Sequence, residues 1–400
     1  MNHKITRLLS LFFSTLACFI APVTVSAQES PEAKAARQAE KPAPEVVRDQ
    51  TGKVSIAVGR GLRINVGNRT TGPIIVIGWD RDTIEASATS DRGAEHVRVM
   101  VDPNPSGLRI ALKADYAEES SAGLRLGHEL LESVFSRMKE ERYRPAVKPS
   151  QAPPVPPTQA PDVSPIAIRP GEIFFEVKVP RYVEIELIEV YRSNVLVSGV
   201  ETAIAVSGDR SEIKLKDVGA AEVRTSSGNV EVDHANSLID VITTSGAIAV
   251  KNAGGDVRAL SISGKIEIQC AHGRVDVSNT DASITLTGVN GDVTAMATNS
   301  SVRLSGSIRA DGRYHLKSMS GTVEMEIPAN SPGFTAALSS YRGGIGTDFP
   351  LKTNKPVPTS STNQRLIGRY GNGQAQITLD SFDGAVKLGK VSVGALKECR

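Results

Sequence analysis

The chain has 400 residues, a formal charge of +2, 4% aromatic residues and one Trp. A near-neutral balance excludes the strongly basic surface that nucleic acid or an anionic membrane would select. So few rings point away from a thick globular core and towards a thin one built from small and β-branched residues.

In chain order, the first element reads as a secretory signal over 1–27. Lys4 and Arg7 give the charged start, residues 8–21 an apolar stretch, and Val25-Ser26-Ala27 a small-residue cleavage site. Cleavage there removes both excess positive charges. Cys18 lacks the aliphatic residue that a lipid-attachment site wants three positions earlier, where Thr15 stands. No later segment is long and apolar enough to cross a bilayer as a helix, so no stable membrane insertion is expected after cleavage. The expected location is exported: periplasmic, extracellular or at the cell surface. Export leaves Cys270 and Cys399 in an oxidising compartment. Cys270 falls near a strand end, where a small buried thiol is the expectation in preference to a disulfide.

Residues 28–50 are rich in Ala, Glu, Lys, Gln and Pro with no apolar period, and read as a disordered spacer. Residues 51–115 alternate in runs such as Val54-Ile56-Val58, Leu62-Ile64-Val66 and Leu108-Ile110-Leu112, and are expected to form an N-terminal β segment or cap. Residues 116–170 change character and read as an insertion. Leu124, Leu131, Val134, Phe135 and Met138 share one helical face, with Ser120 or Ser121 as the cap. Nine prolines follow between 145 and 170, a semi-rigid linker.

Residues 171–390 carry an 18-residue period. One column reads Val230, Ile248, Ile266, Ile284, Val302, and the column two residues on reads Val232, Val250, Ile268, Leu286, Leu304. An earlier pair reads Ala221, Ile239, Val257, Val275, Val293 and Val223, Val241, Ala259, Val277, Ala295. Turn columns separate them: Ser227-Gly228, Ser245-Gly246, Ser263-Gly264, Asp281-Ala282, Asn299-Ser300, and Gly219, Ser237, Gly255, Gly273, Gly291. Apolar residues two apart mark strands with one buried face. Two strands and two turns per period predict an all-β, single-stranded β-solenoid with about 18 residues per coil. Ile213 and Leu215 join the ladder with a one-residue slip, Val323 and Met325 with a three-residue insertion. A loop is expected at 352–365, closing strands up to 390, and a tail over 391–400.

Several stretches resemble the DUF4097 family of exported, adhesin-like β-strand repeat proteins. They are Gly78-Trp79-Asp80-Arg81-Asp82-Thr83-Ile84-Glu85, the repeats Gly255-Asp256-Val257 and Gly291-Asp292-Val293, Ser318-Met319-Ser320-Gly321-Thr322-Val323, the Gly343 to Leu351 stretch, and Gly371-Asn372-Gly373. The sequence departs from the family at the 120–170 insertion, near Asn194, and at Ala282 and Ser300. The resemblance implies an exported β-solenoid and supplies no catalytic residue.

Chemistry is sparse. Gly343-Gly344-Ile345-Gly346-Thr347-Asp348 begins like a calcium-binding nonapeptide, but one copy cannot complete such a site and Pro350 stands where an apolar residue is wanted, so a turn is expected. His128, His234, His272 and His315 lack metal-ligand spacing. Glu231 and Glu267 lie two coils apart on the outward column, about 10 Å at about 4.8 Å per coil, a marginal spacing for paired-carboxylate glycoside hydrolysis. Thr285 and Thr287 alone cannot form an ice-binding array. No catalytic, cofactor-binding or metal residue is therefore assigned. The expectation is a non-catalytic scaffold or adhesin-like binding protein of the cell envelope, acting on an envelope protein or glycan. The alternatives are a carbohydrate-active β-helix enzyme and an envelope-stress sensor that binds peptides or partner proteins.

Overall fold

Each 18-residue repeat contributes one strand to each of two facing walls. In the computed structural model, which describes residues 45–49, 52–104, 108–117, 170–353, 363–391 and 399, thirty strands run from β1 (Val46–Arg48) to β30 (Val386–Val391). They form two sheets of fifteen strands each. The signal (1–27), the helix and proline linker between 118 and 169, and most of the 352–365 loop lie outside the described residues. The last part of the expected spacer does not stay unpaired: β1 is an edge strand, antiparallel to β2 (Val54–Ala57).

The central array follows directly from the columns. The first wall stacks β14 (Val230–Ala235), β16 (Ile248–Ala253), β18 (Ile266–Ala271), β20 (Ile284–Val289) and β22 (Val302–Ser305), all parallel. The second wall stacks β13 (Ala220–Ser227), β15 (Ile239–Ser245), β17 (Val257–Ser261), β19 (Val275–Asn279) and β21 (Val293–Ala297), also parallel. Ile248, Ile266 and Ile284 lie one above another and are at most 1% exposed. The slip and the insertion fall where expected: Ile213 on β12 (Ile213–Val218) pairs with Val230, and Val302 pairs with Val323 on β24 (Val323–Pro328).

A further inward column, Val218, Ala235, Ala253, Ala271 and Val289, closes the first-wall corner. Strict alternation would point Ala235 outward, since Val230 and Val232 point in. The residue before each member resolves the conflict. Asp217, His234, Asn252, Cys270 and Gly288 all have φ between 52° and 67°. This left-handed kink, tolerated best by Gly, Asn, Asp and His, turns the chain so that the following residue faces inward.

Both ends are closed by strands that insert between rungs. At the N-terminal end β8 (Ile173–Pro180) lies between β5 (Thr83–Ser90) and β4 (Ile74–Trp79). At the C-terminal end β29 (Ala375–Ser381) lies between β23 (Arg313–Ser318) and β25 (Phe334–Ser340), and β30 between β24 and β26 (Ile345–Thr347). The outermost strands are β1, β26, the two-residue β27 (Lys352–Thr353) and β6 (Val97–Pro103), which ends in proline. Edges that are short or end in proline resist pairing with other chains.

Candidate binding wall

The two outer faces are positioned by a rigid interior, and the second-wall corner shows how. Thr225, Thr243, Ser261, Asn279, Ser318, Ser381 and Ser340 are buried polar residues along the same edge of the core. All of these except Thr243 hydrogen-bond backbone groups of the adjoining turns. Asn279 donates from Nδ2 to the Gly264 carbonyl at 2.6 Å and accepts from the Ala282 amide at 3.1 Å. Ser318, Ser381 and Ser340 donate to the carbonyls of Ser300, Gly321 and Gly384 at 2.7, 2.8 and 2.8 Å. The turns themselves stack backbone on backbone: a Cβ at Gly264 would sit 1.8 Å from the Gly246 oxygen.

The outer face of the first wall is a field of ion pairs. Glu231 bonds Lys251 at 2.7 Å, and Glu267 bonds Lys265 at 2.8 Å. The Lys251 bond holds the Glu231 carboxyl below its ordinary value, against the opposing effect of burial. A general acid needs the opposite shift, as a carboxyl in an apolar pocket has. The two glutamates considered for glycoside chemistry thus stand two rungs apart, with Ala249 between them, each bonded to a lysine. Further along, Glu324 is bridged by Arg303 at 2.7 Å and Lys387 at 3.0 Å, which joins three rungs.

The outer face of the second wall differs. Rung by rung, one outward column reads Arg224, Ile242, Leu260, Ser278, Met296, Lys317, Asp380. Beside it at the corner, one residue beyond the buried polar column, stand Ile262, Met319, Phe382 and Tyr341. Leu260, Ile262, Met296, Met319, Phe382 and Tyr341 are all exposed. Phe382 and Tyr341 stack with ring centroids 4.8 Å apart. The run is interrupted at β19, where Ser278 and Thr280 stand, but a cluster of exposed apolar residues on one face is less ordinary than single ones. The strip could have been found from the same 18-residue register by reading the outward positions for apolar residues.

The remaining sequence candidates are dispersed. His234 lies 3.4 Å from Asp217, His272 3.5 Å from Asn290 and His315 3.7 Å from Asp380, each with a different neighbour; His128 is outside the described residues. Among the described residues no group of three or more His, Cys, Asp or Glu is placed to hold a metal ion. Within the Gly343 to Asp348 stretch, Ile345–Thr347 form edge strand β26 with a bend on either side, and the Asp348 carboxylate accepts from the Lys390 amide at 3.1 Å. Cys270 is not a free thiol: it is bonded to Cys399, with Cα atoms 5.2 Å apart. The pairing has a local cause. Cys270 occupies the left-handed corner position, and the next residue in that column is Gly288, whose missing side chain leaves the space that the Cys399 sulfur fills. Among the described residues no helix is long and apolar enough to cross a membrane.

The family model described as Toastrack DUF4097 matches residues 175–389, which include the whole central array. No curated protein matches the chain. Among solved structures, one named a putative cell adhesion protein from Clostridium sporogenes is similar at 8% identity and a TM-score of 0.17, over 88% of this chain and 100% of that one.

Proposed function

Because the chain belongs to the Toastrack DUF4097 family, we propose that it is an exported, non-catalytic β-solenoid that serves as a scaffold or adhesin-like binding surface of the cell envelope. The observation that carries this reading is the contrast between faces. Inward columns repeat Ile on Ile and Val on Val, while outward columns change character from rung to rung and from wall to wall. A rigid frame with freely varied outer positions suits recognition of a macromolecular surface, such as an envelope protein or glycan. The bonding of Glu231 and Glu267 to lysines favours a non-catalytic role over a carbohydrate-active one. The Cys270–Cys399 disulfide supports export, because structural disulfides persist in oxidising compartments.

Two measurements test the reading. Fractionation of cells producing the full chain is expected to find it outside the cytoplasm, with residues 1–27 removed and both remaining cysteines oxidised. A cytoplasmic product with free thiols at 270 and 399 would overturn the export reading. A polysaccharide-degradation screen is expected to show no turnover; activity that disappears in Glu231→Gln or Glu267→Gln would replace the scaffold with an enzyme.

A further inference from the structure

We propose that residues 118–144 of this same chain lie along the second-wall corner and cover Leu260, Ile262 and Met296. The observation that carries this is where the chain leaves the array. In the repeats, each second-wall strand passes into a first-wall strand through a short turn, such as Ser227-Gly228 before β14. Between β7 (Arg109–Tyr116) and β8 the whole 118–169 stretch takes the place of that turn. Both of its ends stay at the corner. Asn68, at the end of β3 (Arg63–Asn68), pairs with Ala114 of β7 and donates from Nδ2 to the Ile173 carbonyl of β8 at 2.6 Å. Ile262, Met319, Phe382 and Tyr341 each stand one residue past the end of a second-wall strand. The apolar cluster therefore borders the same corner, further along the array.

Sequence and length select the occupant. Leu124, Leu131, Phe135 and Met138 fall on one helical face. The 28–44 stretch has no apolar period, and 354–362 joins β27 to β28 (Gln364–Tyr370) at the opposite end. Counted from β7, the corner reaches β17 after six rungs, β19 after seven and β21 after eight. At about 4.8 Å per rung these lie about 29, 34 and 38 Å away. With Ser120 as the cap, residues 118–120 extended cover about 10 Å. A helix then rises about 1.5 Å per residue, which brings Leu131, Phe135 and Met138 to about 27, 33 and 37 Å. Leu131 is then level with Leu260 and Ile262, and Met138 with Met296. Phe135 is level with Ser278 and Thr280, whose small side chains leave room for its ring. The break in the apolar run thus falls opposite the bulkiest residue of the helical face. The way back is long enough, because 145–169 at about 3.1 Å per residue can span about 78 Å.

Alkylation of cysteines introduced singly into the full, oxidised chain tests the proposal. Both Met296 and Arg303 present exposed side chains in the array. Met296→Cys is nevertheless expected to react with a maleimide about tenfold or more slowly than Arg303→Cys on the first wall, because its cover must first open. Leu131→Glu with Phe135→Glu should abolish that protection, whereas Leu131→Met with Phe135→Leu should keep it. An unchanged melting temperature in both backgrounds shows that the array is intact. Met138→Cys with Met296→Cys should form a disulfide within one chain, and Met138→Cys with Arg303→Cys should not. Equal labelling of Met296→Cys and Arg303→Cys would overturn the proposal. So would protection that survives Leu131→Glu with Phe135→Glu, or protection that grows with protein concentration, which would assign the cover to another molecule.

Discussion

Asn279 condenses the logic of the corners into one side chain. It is 1% exposed, and its amide serves two turn groups at once. Removing it strands a carbonyl and an amide in the interior, where each unsatisfied group costs about 1–3 kcal/mol. Asn279→Ala is expected to lower the urea midpoint by an amount in that range without altering the far-ultraviolet spectrum. Glu324 makes a pH-dependent contribution. Burial opposes its charge, but the bonds from Lys387 and Arg303 outweigh burial and hold its carboxyl below the ordinary value. A lowered folded-state pKa stabilises the fold above the ordinary carboxylate pKa of about 4.3, and that contribution fades as pH falls through the folded value. The stability difference between the native chain and Glu324→Gln should therefore be on the order of 1 kcal/mol at pH 7. It should shrink towards zero in acid titrations followed by denaturant unfolding. The inner apolar columns were legible in the sequence, because burial and hydrophobicity coincide there. Thr243, Ser261 and Asn279 sit two residues further along the same parity, so their direction was legible too. Their polarity concealed their burial, and for Ser261 and Asn279 that burial rests on turn backbone brought close only by stacking.

At the level of strands, the rung is the unit of stability. Each strand of the array hydrogen-bonds a parallel neighbour on both sides, so damage to one rung reaches the next. Ile266 is fully buried between Ile248 and Ile284. A lysine there places an unpaired charge in the stack, and Ile266→Lys is expected to cost about 3–5 kcal/mol, in the range of severe core substitutions. Glu267→Gln, one residue away and facing out, loses only the Lys265 pair and should stay within about 1 kcal/mol. Thermal melting of the two variants side by side checks both. The slip at Ile213 and the insertion before Val323 were readable because the apolar columns resume after each irregularity. The Ala235, Ala253, Ala271 column also repeats every 18 residues, yet it breaks period-two alternation and becomes intelligible only through the left-handed residue before each alanine. The inserted strands at either end were illegible for a different reason. Phe175 pairs with Ile74, and Val323 with Val386, and no local pattern encodes a partner so distant in the chain.

For the molecule as a whole, the decisive covalent feature joins residues 129 apart in sequence. A crosslink of that span restricts the unfolded chain strongly, and its loss is expected to cost about 2–5 kcal/mol. Calorimetry should show a lower melting temperature for Cys270→Ser, and the same decrease for the native chain in reductant. Addition of reductant to Cys270→Ser should change nothing further. The sequence placed Cys270 correctly near a strand end, but the approach of Cys399 depends on the closing strands returning along the array and on the open space at Gly288.

That link also decides where tension enters the protein. A force applied at Cys399 bypasses the last rungs and arrives at β18, a strand flanked by neighbours on both sides. The final coils therefore carry none of the load and cannot be unzipped from their end. Cys270 acts as a mooring point in the middle of the hull.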